Sequence, residues 1–167
     1  MGLRQTGVRP FTFAIGGTIK THKENDMTMS IKKVDLWTAH LTDRPGAMAT
    51  KLAILAEAGA NLEYLHARRT PEIFGKGLLS VWPLKGAKQL RAAEEAGFTL
   101  STGPVVLRLE FPDRPGFGAQ VGLALSDAGI NVRGFVVVDI LKKGSSFLTL
   151  DNPKDAEKAV RILKKLK

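Results

Sequence analysis

A chain of 167 residues, 44% hydrophobic and 25% charged, has the composition of a globular protein, long enough for one ordinary domain or two small ones. It has no cysteine, which excludes disulfides, thiol catalysis and cysteine-ligated metal, and its longest apolar runs are far too short to span a bilayer. The net charge of +9 is spread out: residues 1–30 hold four basic and two acidic side chains, residues 151–167 six and three, which suits a solvated surface better than a nucleic-acid stripe.

Residues 1–30 contain one strand-like run, Phe11-Thr12-Phe13-Ala14-Ile15, closed by Gly16-Gly17 and followed by a polar stretch to Asp26. The run is too short for a secretory signal and lacks a small-residue cleavage site. Met27 and Met29 stand just before the patterned part of the chain, so a peripheral leader is expected, with the native start at one of them. From Val34 to Leu41 the chain alternates, with Trp37, Ala39 and Leu41 on one side and Thr38 and His40 on the other, which predicts a half-buried strand. Asp43-Arg44-Pro45-Gly46 then opens a helix to about Ala58, with Pro45 at a first helical position and Asp43 placed to accept orphan amides. Met48, Leu52 and Leu55 form its apolar stripe, and Gly59 ends it. Strands follow at 61–69 and 75–82, with Pro83 ending the second; next come a helix at 85–96 with Ala87, Leu90 and Ala93 inward, and a short strand at Phe98-Thr99-Leu100. The order is β-α-β-β-α-β.

The pattern then starts again. Asp113-Arg114-Pro115-Gly116 repeats the turn seventy residues on, and residues 43–61 match 113–131 at nine of nineteen positions without a gap. Leu107, Leu109 and Phe111 take the places of Trp37, Ala39 and Leu41; Phe117, Val121 and Leu125 repeat the helical stripe; Gly129 repeats Gly59. The strand 131–140 carries Val136-Val137-Val138, which predicts burial on both faces. A strand at 145–150 and a helix at 154–166, with Ala156, Val160 and Leu163 inward, complete the copy as far as Lys167. The chain thus divides into a leader (1–30), a first unit (31–101) and a second unit (102–167). The second unit lacks a fourth strand, leaving an edge beside 105–111 for either Phe98–Leu100 or Phe11–Ile15 to cover.

The strand–Asp-Arg-Pro-Gly–helix–Gly-x-Asn–strand pattern inside a βαββαβ unit resembles the ACT domain, a family of small-molecule-sensing domains in amino-acid metabolism. The resemblance spans both copies, from 31 to 167. It implies an α+β fold of two tandem ferredoxin-like units, each an antiparallel sheet with helices on one face. It also implies that ligand binds at the first strand–helix loop, against the start of a second strand from a neighbouring unit. Carried over, the site residues are Asp43, Arg44, Pro45, Gly46, Ala47 and Met48 with Asn61 and Leu62, and Asp113, Arg114, Pro115, Gly116, Phe117 and Gly118 with Asn131 and Val132.

The chemistry of these residues suits an amino acid. A loop opening a helix offers backbone amides to a carboxylate, Gly46 and Gly116 allow close approach, Asp43 and Asp113 can accept an ammonium group, and Asn61 and Asn131 donate and accept in one place. Each also has a structural reading: helix cap for the aspartates, turn geometry for the glycines, and a turn-bonding side chain for the asparagines. The histidine that precedes the loop in serine-sensing members is Leu41 here and Phe111 in the second copy, which argues against a serine-like effector. Phe117 in place of Ala47 means the two sites need not take the same molecule.

No metal-ligand spacing, nucleophile elbow or phosphate loop appears, and His22, His40 and His66 have no partner motif, so neither catalysis nor a cofactor is expected. The same βαββαβ order serves RNA-recognition modules, whose open face would here carry Thr38, His40, Tyr64, His66 and Arg68, but the third-strand aromatics of that family are missing. The expectation is a cytoplasmic regulatory protein that binds an amino-acid effector, forms a homodimer and acts on a regulated partner. A protein-interaction module without ligand is the alternative, with nucleic acid less favoured and no membrane role.

Overall fold

The structure, a computed structural model, describes residues 29–71, 73–112, 114–140 and 143–166. Phe11–Ile15, His22 and Asp113 lie outside the described residues. In chain order the elements are β1 (Ser30–Val34), β2 (Trp37–Thr42), α1 (Ala47–Glu57), β3 (Tyr64–Arg69), β4 (Lys76–Trp82), α2 (Gly86–Glu95), β5 (Thr99–Leu100), β6 (Val105–Pro112), α3 (Phe117–Asp127), β7 (Gly134–Ile140), β8 (Lys143–Leu150) and α4 (Pro153–Leu163).

Period-two alternation builds both sheets. In β6, Val105, Leu107, Leu109 and Phe111 point one way and are buried, and in β8 Leu148 and Leu150 join them. Phe117, Val121 and Leu125 of α3 and Ala156, Ala159 and Leu163 of α4 close that face. Ala39 and Leu41 of β2 with Leu79 and Val81 of β4 form the matching core, covered by Leu55 of α1 and by Ala93 of α2 with Phe98 just beyond it. Each sheet is antiparallel and carries its two helices on one face, as expected. The chain supplies a full cap only to α4, where Asn152 accepts from the Asp155 N–H at 2.9 Å and Pro153 follows at a first-turn position.

The strand orders are β3-β4-β2-β5 and β1-β6-β8-β7. The edge beside β6 is therefore taken by a third segment, β1. Thr99–Leu100 pairs with β2 inside the first sheet, and Ser30–Val34 crosses over to pair with β6, from Ser30 opposite Glu110 to Val34 opposite Val106. The strand expected to run unbroken from Val34 is interrupted at Asp35-Leu36, between β1 in one sheet and β2 in the other. Val34 is 4% exposed, which is why the segment holds its place.

The valine-rich strand is a second correction. Val136, Val137 and Val138 are 41, 48 and 44% exposed, because β7 is the last strand of its sheet and no strand among the described residues pairs with its outer side. The sheet faces turned away from the helices meet instead through Val34, Val106 and Phe147, joined by Leu36, Tyr64 and Trp82. Tyr64 lies 4.5 Å from Phe147 centroid to centroid, and Trp82 meets the same ring edge-on at 6.4 Å. Arg108 closes this contact, bonding Glu63 at 2.6 Å and Glu110 at 2.8 Å with its guanidinium over the Trp82 ring. Burial here pushes the Tyr64 hydroxyl above its ordinary pKa.

Candidate ligand-binding site

The first Asp-Arg-Pro-Gly loop connects β2 to α1. Gly46, not Pro45, is the residue at the helix boundary, and it sits in the left-handed region at φ 84° with no side-chain cap on α1. Gly116 does the same for α3 at φ 83°. A Cβ at either glycine would meet nothing within 4 Å, so backbone conformation, not crowding, calls for glycine there. Pro45 falls in the turn ahead of the helix, and Asp43 is not its cap. The Asp43 carboxylate instead takes Arg69 Nε at 2.9 Å, while its N–H donates to the Gly75 carbonyl. The amide of Thr50 is spent on Gly46 O and that of Ala47 on Arg44 O. The first turn of α1 contains no acidic side chain that would repel an anion.

A recess of about 190 Å³ opens at this loop. Its walls are Leu41, Thr42, Asp43, Arg44, Ala47 and Met48 from the loop side, Ala67, Arg68 and Arg69 from β3, and Gly77 from β4. Pairing register explains the meeting: Gly77 lies opposite Leu41 on one side and Arg69 on the other. Arg69 and Arg44 therefore stand with Asp43 at this loop, whereas Arg68, next to Arg69 in the strand, turns its side chain to the opposite face with Tyr64 and His66. Arg69 is engaged by that aspartate, Arg68 makes only a long bond to its neighbour's carbonyl at 3.4 Å, and Arg44 has no partner among the described residues. The sequence expectation named Arg44 but missed Arg68 and Arg69; the signal was available in the hairpin register, which carries the end of β3 back beside the loop. A larger groove, about 500 Å³, runs between α1 and α2, but Lys88 and Arg91 there balance Glu57 and Glu95, and it holds none of the expected residues.

At the second loop the corresponding space is filled. Phe111 and Phe117 stack at 3.6 Å between centroids and 15° between planes, and both are buried. Phe111 pairs with Gly144, where any Cβ would overlap its ring. Arg114 lies over the Phe117 ring at 6.0 Å and donates to Gln120 Oε1 at 2.8 Å. Pro115 and Gly118 are exposed beside it.

Asn61 and Asn131 are not brought to the loops of their own units. They follow the far ends of α1 and α3, and an eleven-residue helix is about 16 Å long. Both are exposed, neither side chain bonds its own turn among the described residues, and neither lines the recess. Leu62 packs against the first core, whereas Val132 is exposed. Gly59 and Gly129 do take the left-handed conformation that ends each helix, at φ 81° and 65°. Among the described residues no cluster of histidine, aspartate and glutamate could hold a metal, and no helix is long and apolar enough to cross a membrane. On the open sheet face, Tyr64 is committed to Phe147 and is not free to stack on a base.

No protein-family model matches the chain, and no curated protein matches it either. Solved structures do. A Bacteroides thetaiotaomicron protein superposes with a TM-score of 0.65 at 19% identity, over 83% of this chain and 90% of its own. The ligand-free regulatory subunit of aspartate kinase from Thermus thermophilus gives a TM-score of 0.53 at 18% identity, over 81% of this chain and 93% of that one. Escherichia coli aspartokinase III, solved with aspartate and ADP, gives 0.51 at 18% identity, and there the match covers 81% of this chain but only 32% of the larger enzyme. At these identities the likeness is one of fold, and the fold is that of paired ACT-type units: α+β, ferredoxin-like, with two antiparallel sheets and four helices.

Proposed function

We propose that the chain is a non-catalytic regulatory protein that senses a small ligand, an amino acid, at the first Asp-Arg-Pro-Gly loop. The observation that carries this is the recess itself, where a loop with a left-handed glycine, an uncapped helix start and the Arg44 and Arg69 side chains lie together. Its fold is shared with a protein whose printed description is a regulatory subunit of aspartate kinase. In this reading the chain works as two units, 31–101 and 102–167, tied by β1, which the first lends to the sheet of the second.

Because Asn61 and Asn131 stand away from the loops, the reading assigns the asparagine-bearing wall of the pocket to a second copy in a cytoplasmic homodimer. The exposed outer strands β3 and β7 support such an assembly. Ligand bridging two copies would favour one arrangement over another by its difference in affinity, which is how a signal would reach a regulated partner. An interaction module without ligand is the second reading, favoured by the same exposed valines of β7.

A thermal-shift screen of the twenty amino acids tests the first. A bound ligand at a hundred times its dissociation constant adds about 2.7 kcal/mol to stability. One or a few amino acids are expected to raise the melting temperature, and Arg69→Ala, at an exposed site, is expected to remove the effect while the protein stays folded. A flat screen at millimolar ligand would sink the sensor reading in favour of the interaction module.

A further inference from the structure

The two loops, alike in sequence, differ in what lies behind them. In the first, Leu41, Ala47 and Gly77 leave a recess. At the matching positions of the second stand Phe111, Phe117 and Gly144, and the two rings stack in the space, with Phe111 seated over Gly144. Charge diverges in the same way. Arg69, which pairs opposite Gly77, corresponds to Asp139, which pairs opposite Gly144, and Arg68 corresponds to Val138.

We infer that the chain carries one ligand site, not two, and that this site, at the first loop, takes an amino acid with its carboxylate at Arg44. The inference rests on the sensor reading and narrows it. Arg69 is already held by Asp43, so Arg44 is the guanidinium left over at the loop, and a carboxylate is the contact such a group makes best. The second loop offers no such room. It has become part of the core of its unit, where Phe111 and Phe117 bury their rings, and it keeps the Asp-Arg-Pro-Gly turn for its backbone shape alone.

Isothermal titration calorimetry on the full chain decides this, with L-aspartate, L-glutamate, L-leucine and L-lysine as titrants. The expected result is binding of at least one of these amino acids at one per chain. Ala47→Phe, which copies the second loop into the first, is expected to abolish it. Arg44→Ala, at an exposed site that does not threaten folding, is expected to weaken it about tenfold or more. Two ligands per chain would overturn the single site while leaving the sensor standing. Undiminished binding in Arg44→Ala would overturn the assignment to this recess. Failure of every amino acid to bind the wild-type chain would overturn the sensor reading itself.

Discussion

At Gly46 and Gly116 it is φ, not crowding by the protein, that demands glycine, and the space beside each is open. Gly46→Ala is therefore expected to lower stability by about 1–2 kcal/mol through strain in the left-handed region, read from urea unfolding, without filling any space a ligand would use. Asp43 was expected as a cap or a ligand contact; its carboxylate is instead held by Arg69, on a pair so exposed that it contributes little to stability. This residue thus fixes where Arg69 stands.

Two outer strands in one chain are guarded differently. On β3, His66, Arg68 and Arg69 are exposed, and basic side chains on a free edge discourage pairing with other chains. On β7 the exposed positions are Val136, Val137 and Val138, which discourage nothing. If a second copy docks through a sheet edge, β7 is the edge that accepts it. Sedimentation velocity is expected to show a dimer for the wild type and a monomer for Val137→Lys, with the far-ultraviolet dichroism unchanged; a persistent dimer would move the interface elsewhere. The β1 strand shows the opposite solution, since it closes the free side of β6 from within the chain.

The two units meet through a small contact in which Tyr64, Trp82, Phe147 and Arg108 are the principal side chains. Tyr64 is the chain's sole tyrosine, so tyrosinate absorbance reports this interface and nothing else. Its hydroxyl is raised above the ordinary 10.0 by burial, so the packed form is the neutral phenol. The sign follows: the contribution to stability is complete below the unfolded value near 10.0 and is lost as pH rises through the higher folded value. Ultraviolet titration is expected to show a late midpoint in the wild type and a return toward the ordinary value in Phe147→Ala. An unshifted midpoint in the wild type would mean that the sheets do not stay packed in solution.

The duplicated turn, the alternating strands and the helical stripes were legible in the amino-acid order because each is a short-range pattern. Leu107, Leu109 and Phe111 could be assigned to a core face, and Phe117, Val121 and Leu125 to its cover, from spacing alone. Alternation says which side of a strand is apolar but not which strand lies beside it. The burial expected for Val136 to Val138 therefore failed at a sheet edge, and Ser30–Val34 could not be placed in the second sheet until its pairing was seen. The site divides in the same way. Its loops were visible as a repeat, whereas Arg68 and Arg69 come to the first loop only through hairpin register, and the closure of the second depends on two aromatic rings meeting over Gly144. Local patterns are set by neighbours in sequence; which loop stays open is set by residues brought together from distant strands, and only the packed fold decides that.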